Sequence, residues 1–176
     1  MRMHAVLAAI VASAAGAQGP REQVTVAGMP LEVRNDEAAA IDRALKFGLV
    51  REPVARGDDL TREQVWDLFR ESDGVRHCYE RGLSSRPTLH GRVALRVVVD
   101  SSGRVNRSEL DDPDEVPEAL RGRVKPSPKR PPDPGALTDA TVTGCVVEEV
   151  RKLVFPKRAP GRATLIRYTY LFRLER

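Results

Sequence analysis

Cys78, in the run VRHCYERGL, and Cys145, in TGCVVEEVRKLVF, are the residues of this chain best suited to chemistry, and they are its only 2 cysteines. A cysteine pair can supply a nucleophile, a redox couple, metal ligands or a disulfide. His77 precedes Cys78, but consecutive positions on a helix do not face each other, so the two make no nucleophile–base pair. The Cys-x-x-Cys spacing of a redox dithiol is missing. Three histidines without clustered ligands argue against a metal site. Asp111, Asp112, Asp114 and Glu115 are close in sequence, but they lack the glycine-bearing spacing of a calcium loop and read as a solvated segment. Glu80 would need a second carboxylate in a cleft to do acid–base work. The sequence therefore suggests no catalytic residue, no cofactor and no metal.

The start of the chain supplies a compartment. Arg2 and His4 precede an apolar run from Ala5 to Ala15, and Ala15-Gly16-Ala17 is a small-x-small cleavage site. Residues 1–17 thus read as a signal peptide, with the mature chain beginning at Gln18. The run is shorter than the ~20 residues of a membrane span, so no transmembrane segment is expected; an uncleaved anchor is the alternative. The protein is expected to be exported, to the periplasm or outer envelope. In such a compartment an even, minimal cysteine count reads as one structural disulfide, Cys78–Cys145.

Charge divides the chain. The net charge is +4, yet residues 121–176 hold 13 Lys+Arg against 5 Asp+Glu. A basic half of this kind could meet an anionic envelope polymer, or could be a solvated arginine-rich face. Nucleic acid is not an expected partner for an exported chain without interleaved aromatic and basic residues.

The elements that must position these residues follow from periodicity. QVTVAGMPLEV, residues 23–33, alternates but is split by Gly28 and Pro30, which suggests a small hairpin. A short helix follows, capped by Asn35 or Asp36, with Ala38, Ile41, Ala44 and Leu45 on one face. Residues 51–59, with Pro53 and Gly57, mark a boundary. Residues 18–59 thus form an N-terminal extension and residues 60–176 the main domain. In the domain, Thr61 and Gln64 form a capping box. Val65, Leu68, Phe69, Val75, Tyr79 and Leu83 then continue one helix, with Gly74 inside it and Gly82 and Pro87 at its end. RVALRVVVD is a strand with one face buried, Asp100–Gly103 a tight turn, and RVNRSEL a second strand. Residues 111–137 are proline-rich, with KPSPKRPPDP reading as extended and disordered. A helix starting at Thr138 or Asp139 carries Val142, Val146, Val150 and Leu153. A final strand, TLIRYTYLFRL, places Ile166, Tyr168, Tyr170, Phe172 and Leu174 on one face. The expected fold is α+β: a three-stranded antiparallel sheet with two helices packed on one face, plus the small N-terminal extension.

Several landmarks recur together. Cys78-Tyr79-Glu80 lies on the first helix, and Pro87-Thr88-Leu89-His90-Gly91-Arg92-Val93 leads into the first strand. Gly103-Arg104-Val105 opens the second strand and Cys145-Val146 sits on the second helix. Phe155-Pro156 stops that helix, and the last strand is aromatic from Tyr168 to Phe172. In this order and spacing, residues 60–176 resemble the TonB C-terminal-like domain, in the AgmX/PglI C-terminal version of myxobacterial envelope and gliding-motility proteins. Two departures are the long 111–137 segment and Thr169 where that pattern has proline. The resemblance implies a non-enzymatic envelope domain that binds a protein, with strand addition as the mode that TonB itself uses.

Strand addition needs an unpaired edge. The final strand is the first candidate, through Thr164, Arg167, Thr169, Leu171 and Arg173, whose charges would accept an acidic segment. Residues 104–110 are the second candidate. If the final strand is interior, its role is structural. Other readings are a small exported enzyme using 111–137 as a lid, or a binder of anionic envelope polymers.

Overall fold

A computed structural model describes residues 23–47, 57–112 and 135–175. The signal peptide at 1–17 and most of the proline-rich 111–137 segment lie outside the described residues. The element order is β1 (Gln23–Glu37), α1 (Ala38–Phe47), α2 (Arg62–Arg70), α3 (Asp73–Ser85), β2 (Gly91–Val99), β3 (Val105–Leu110), α4 (Ala140–Arg151) and β4 (Arg162–Glu175). The fold is α+β with an antiparallel sheet, but that sheet has four strands, in the order β1-β4-β2-β3.

The fourth strand comes from the N-terminal segment. Residues 23–33 do not form a hairpin; they belong to β1, which pairs with β4 from Gln23↔Glu175 to Glu37↔Arg162. Gly28 stays extended because the Tyr168 ring lies over it, with Tyr168 Cζ 2.8 Å from where a Cβ would stand. Pro30 sits at the register shift between Pro30 and Glu32, a place where a missing N–H breaks no regular ladder. Both turn signals are therefore absorbed by one irregular strand.

The expected first helix is two. Val65 and Phe69 face the sheet, but six further residues of unbroken helix would turn Val75 about 120° away from Phe69. Extended Ser72, with ψ 91, resets the phase so that Val75, Cys78 and Tyr79 are buried as well. The capping box forms as expected: Gln64 N–H donates to Thr61 Oγ1 at 3.2 Å, and Thr61 N–H to Gln64 Oε1 at 3.0 Å. Asp139 caps α4 by accepting from the amides of Thr141 and Val142.

Helices α2, α3 and α4 cover one sheet face. Between them lie Phe69, Val97, Ile166, Tyr168, Tyr170 and Phe172, with Phe69 stacked on Tyr168 at 4.1 Å between ring centroids. Helix α1 packs on the opposite face through Ile41, against Val98, Ala163 and Leu165. At the α1 end of the sheet, polar side chains tie loops together. Asn35 bonds both backbone groups of Leu60, Arg162 pairs with Asp59 at 2.6 Å, and buried Arg158 donates to Thr164 and to the Val99 and Asp100 carbonyls.

Burial holds all three phenols above the ordinary tyrosine range: Tyr79 is raised, Tyr168 is pushed up to about 12, and Tyr170 goes higher still. A folded-state pKa above the unfolded value of about 10 contributes stability below pH ~10 that is lost as pH rises through the folded value. Absorbance at 295 nm should therefore show phenolate only as the near-ultraviolet circular dichroism collapses. Titration near pH 10 with the fold intact would contradict this burial.

The α3–α4 seam explains one of the two glycines of α3. A Cβ on Gly82 would strike Val142 Cγ2 and stand 2.8 Å from Leu89 Cδ2. The nearest atoms to a Cβ on Gly74 belong to the flexible Glu149 side chain. Gly82 thus does not end a helix; it lets α4 approach. Gly82→Ala should lose about 1–2 kcal/mol through overpacking, after the ~1 kcal/mol gain in helix propensity. Gly74→Ala should be neutral or stabilising. Denaturant melts of the two variants separate these outcomes.

Candidate functional site

The bridge between the helices is present. Cys78 and Cys145 are disulfide-bonded with Cα atoms 5.7 Å apart, joining α3 to α4 across 67 positions of sequence. Cys78 is buried in the seam and Cys145 is half-buried at its rim. His77, next to Cys78, points elsewhere: it is exposed, and its Nδ1 lies 2.8 Å from the Asp73 carbonyl. Arg81 reaches Cys145 Sγ at 2.7 Å. It is three residues after Cys78 on the same helix face, a spacing that could have been read from the sequence.

The candidate edge at Thr164, Arg167, Thr169, Leu171 and Arg173 is corrected by the strand order. Strand β4 pairs with β1 on one side and β2 on the other: Thr169 faces Met29 and Ala94, and Leu171 faces Ala27 and Arg92. From Thr164 to Phe172 it is paired on both sides, and at Arg173 it pairs with β1 alone. Thr164 is buried and donates to Asn35, and Arg167 is ion-paired with Asp111 at 2.6 Å. Thr169 and Leu171 are half-buried on the face away from α2–α4, and Arg173 is exposed. Alternation along the strand located its two faces, but alternation carries no information on how many neighbours the strand has.

Among the described residues, the sheet's two edges are β1 and β3. Along β1, the carbonyls of Val24, Gly28 and Leu31 accept from Arg76, Trp66 and Arg62. Side chains of α2 and α3 thus occupy that edge. Beside them the chain exposes apolar groups: Met29 at 60%, Leu31 at 51% and Trp66 at 40%, with Arg70 lying 4.5 Å over the indole. Trp66 follows Val65 and so falls off the buried stripe of α2, which is the sequence signal for its exposure. At β3, the Ser108 carbonyl accepts from Arg151, and Arg104 bridges to Val154. Asp111 N–H points inward to the Ala94 carbonyl, so the alternation of an antiparallel ladder turns the backbone of Leu110 outward. Leu110 itself is 48% exposed.

Among the described residues, several charged groups are engaged internally. In the basic C-terminal half, Arg158 and Arg162 are buried, while Arg151, Lys152 and Arg167 pair with Glu148, Glu149 and Asp111. Burial lowers the Arg158 pKa from its usual value, and the nearby Arg162 charge adds to this. Among the described residues no group of three His, Cys, Asp or Glu is placed to hold a metal ion. Within the acidic run, Asp111 is committed to Arg167, and Asp114 and Glu115 lie outside the described residues. An open groove of about 420 Å³ lies between Pro87–His90 and Arg173–Leu174. Among the described residues no helix is long and apolar enough to cross a membrane. No family model, no curated protein and no solved structure matches this chain.

Proposed function

We propose that this chain is an exported, disulfide-tied interaction module of the TonB C-terminal-like kind, which works in the cell envelope by holding a protein partner rather than by catalysis. The observation that supports this reading best is the position of Leu110. A large apolar side chain stands exposed at the end of an outermost strand whose local backbone faces outward. Those are the ingredients of strand addition: main-chain groups for pairing and a side-chain anchor for specificity. Strand β3 replaces β4 as the receiving edge. The opposite edge is occupied by Arg62, Trp66 and Arg76, so a partner strand is directed to β3.

The test is site-specific photocrosslinking in cells that export the full chain. A crosslinker at position 110 should give a discrete protein adduct, and one at exposed Thr141 on α4 should not. Leu110→Asp should remove the adduct formed from a neighbouring crosslinker at position 106, without a change in the thermal transition. Equal labelling from positions 110 and 141, or no adduct from either, would overturn the assignment.

A further inference from the structure

The Cys78–Cys145 bridge is chemically lopsided. Cys78 is 2% exposed, whereas Cys145 lies at the rim of the seam. The Arg81 guanidinium is 2.7 Å from Cys145 Sγ and 4.0 Å from Cys78 Sγ. Disulfide sulfur is only a weak acceptor, so this contact contributes little while the bridge is intact. A thiolate at the same place would accept a charge-assisted hydrogen bond from a group that never deprotonates. The other charges near Cys145 are less well placed. Glu148 and Glu149 follow it on α4, but Arg151 and Lys152 hold their carboxylates at 2.9 and 2.7 Å. On α3, exposed His77 is turned to the Asp73 carbonyl. Arg81 is the charge in direct contact.

We propose that Cys145 is the entry thiol of this bridge: held as a thiolate by Arg81, it attacks an external disulfide, and buried Cys78 resolves the mixed disulfide that results. In the first step the Cys145 sulfur bonds to one sulfur of the external disulfide, and the other leaves as a thiolate. Cys78 then gives up its proton and attacks Cys145 Sγ, and the second external thiolate leaves. The protein dithiol is oxidised by two electrons, and the external disulfide is reduced to two thiols that take up the two protons. The reverse path is hindered by the same asymmetry. A reductant reaches Cys145 but not Cys78, so the buried sulfur, farther from Arg81, must be the leaving group.

The test uses the full chain as Cys78→Ser and Cys145→Ser variants, each with a single thiol. Iodoacetamide rates are measured from pH 5 to 10. Cys145 should titrate below the ~8.5 of a free thiol and react about tenfold faster than Cys78 at pH 7.5. Arg81→Met should move the Cys145 midpoint up to or beyond the free-thiol value, and Arg81→Lys should restore part of the shift. If a single-thiol variant does not fold, the reduced wild-type chain is exposed briefly to oxidised glutathione, acid-quenched and digested. The glutathione adduct should then map to Cys145. A faster Cys78, glutathione on Cys78, or a midpoint that Arg81→Met leaves in place would overturn the assignment.

Discussion

Thr169→Pro is expected to abolish the cooperative thermal transition of this protein. Thr169 stands between Met29 of β1 and Ala94 of β2 on an interior strand. Proline there removes a ladder donor, orphans a carbonyl at about 1–3 kcal/mol, and forces its ring against a paired neighbour. Together these losses rival the whole margin of a small domain. Thr169→Val, β-branched and of similar shape, should leave the circular dichroism melt almost unchanged. A folded Thr169→Pro protein would show that β4 is not held on both sides.

Loss of the bridge should have the next largest effect. Closing a loop of this length is worth roughly 4 kcal/mol in the chain-entropy model, and removal of native disulfides typically costs about 2–5 kcal/mol. For a domain of this size, that should lower Tm by roughly 10 °C. The measurement is a thermal melt of Cys78→Ser and of Cys145→Ser, each against the oxidised wild type. Both variants should fall, because each opens the same loop, and Cys78→Ser should fall further because it also places a hydroxyl in the buried seam. A shift of only a degree or two would mean that the α3–α4 seam holds without its covalent tie, through Gly82, Val142 and their neighbours alone.

Much of the fold was legible where one local rule dominates. The Thr61–Gln64 capping box, the alternation of Val93, Leu95, Val97 and Val99, and the aromatic face of β4 all depend on neighbours within a few residues. The two cysteines were legible as a pair because no third competes. What escaped were relations between distant segments. Gly28 and Pro30 carry turn chemistry, and only the Tyr168 ring and the β4 ladder hold them extended. Asn35 looked like a helix cap, but its amide is spent on Leu60, 25 residues away. The interior place of β4 escaped for the same reason: whether a strand is interior depends on what pairs beside it. The clue for Arg81 was local, a three-residue step from Cys78, and needed only the face of one helix.

The β1–β4 register also decides how the domain would carry a load. Gln23 lies across from Glu175, so both strands are gripped at the same end of their ladder. Tension applied there would not shear fourteen pairs together. It would peel them apart in succession, each step breaking only a hydrogen bond or two, worth about 1 kcal/mol apiece. The yield force should therefore be low despite the length of the strands. Extension would then stop abruptly at Cys78 and Cys145, because the chain between them is a covalently closed loop that cannot lengthen. A tether made from this domain would give way early and then catch.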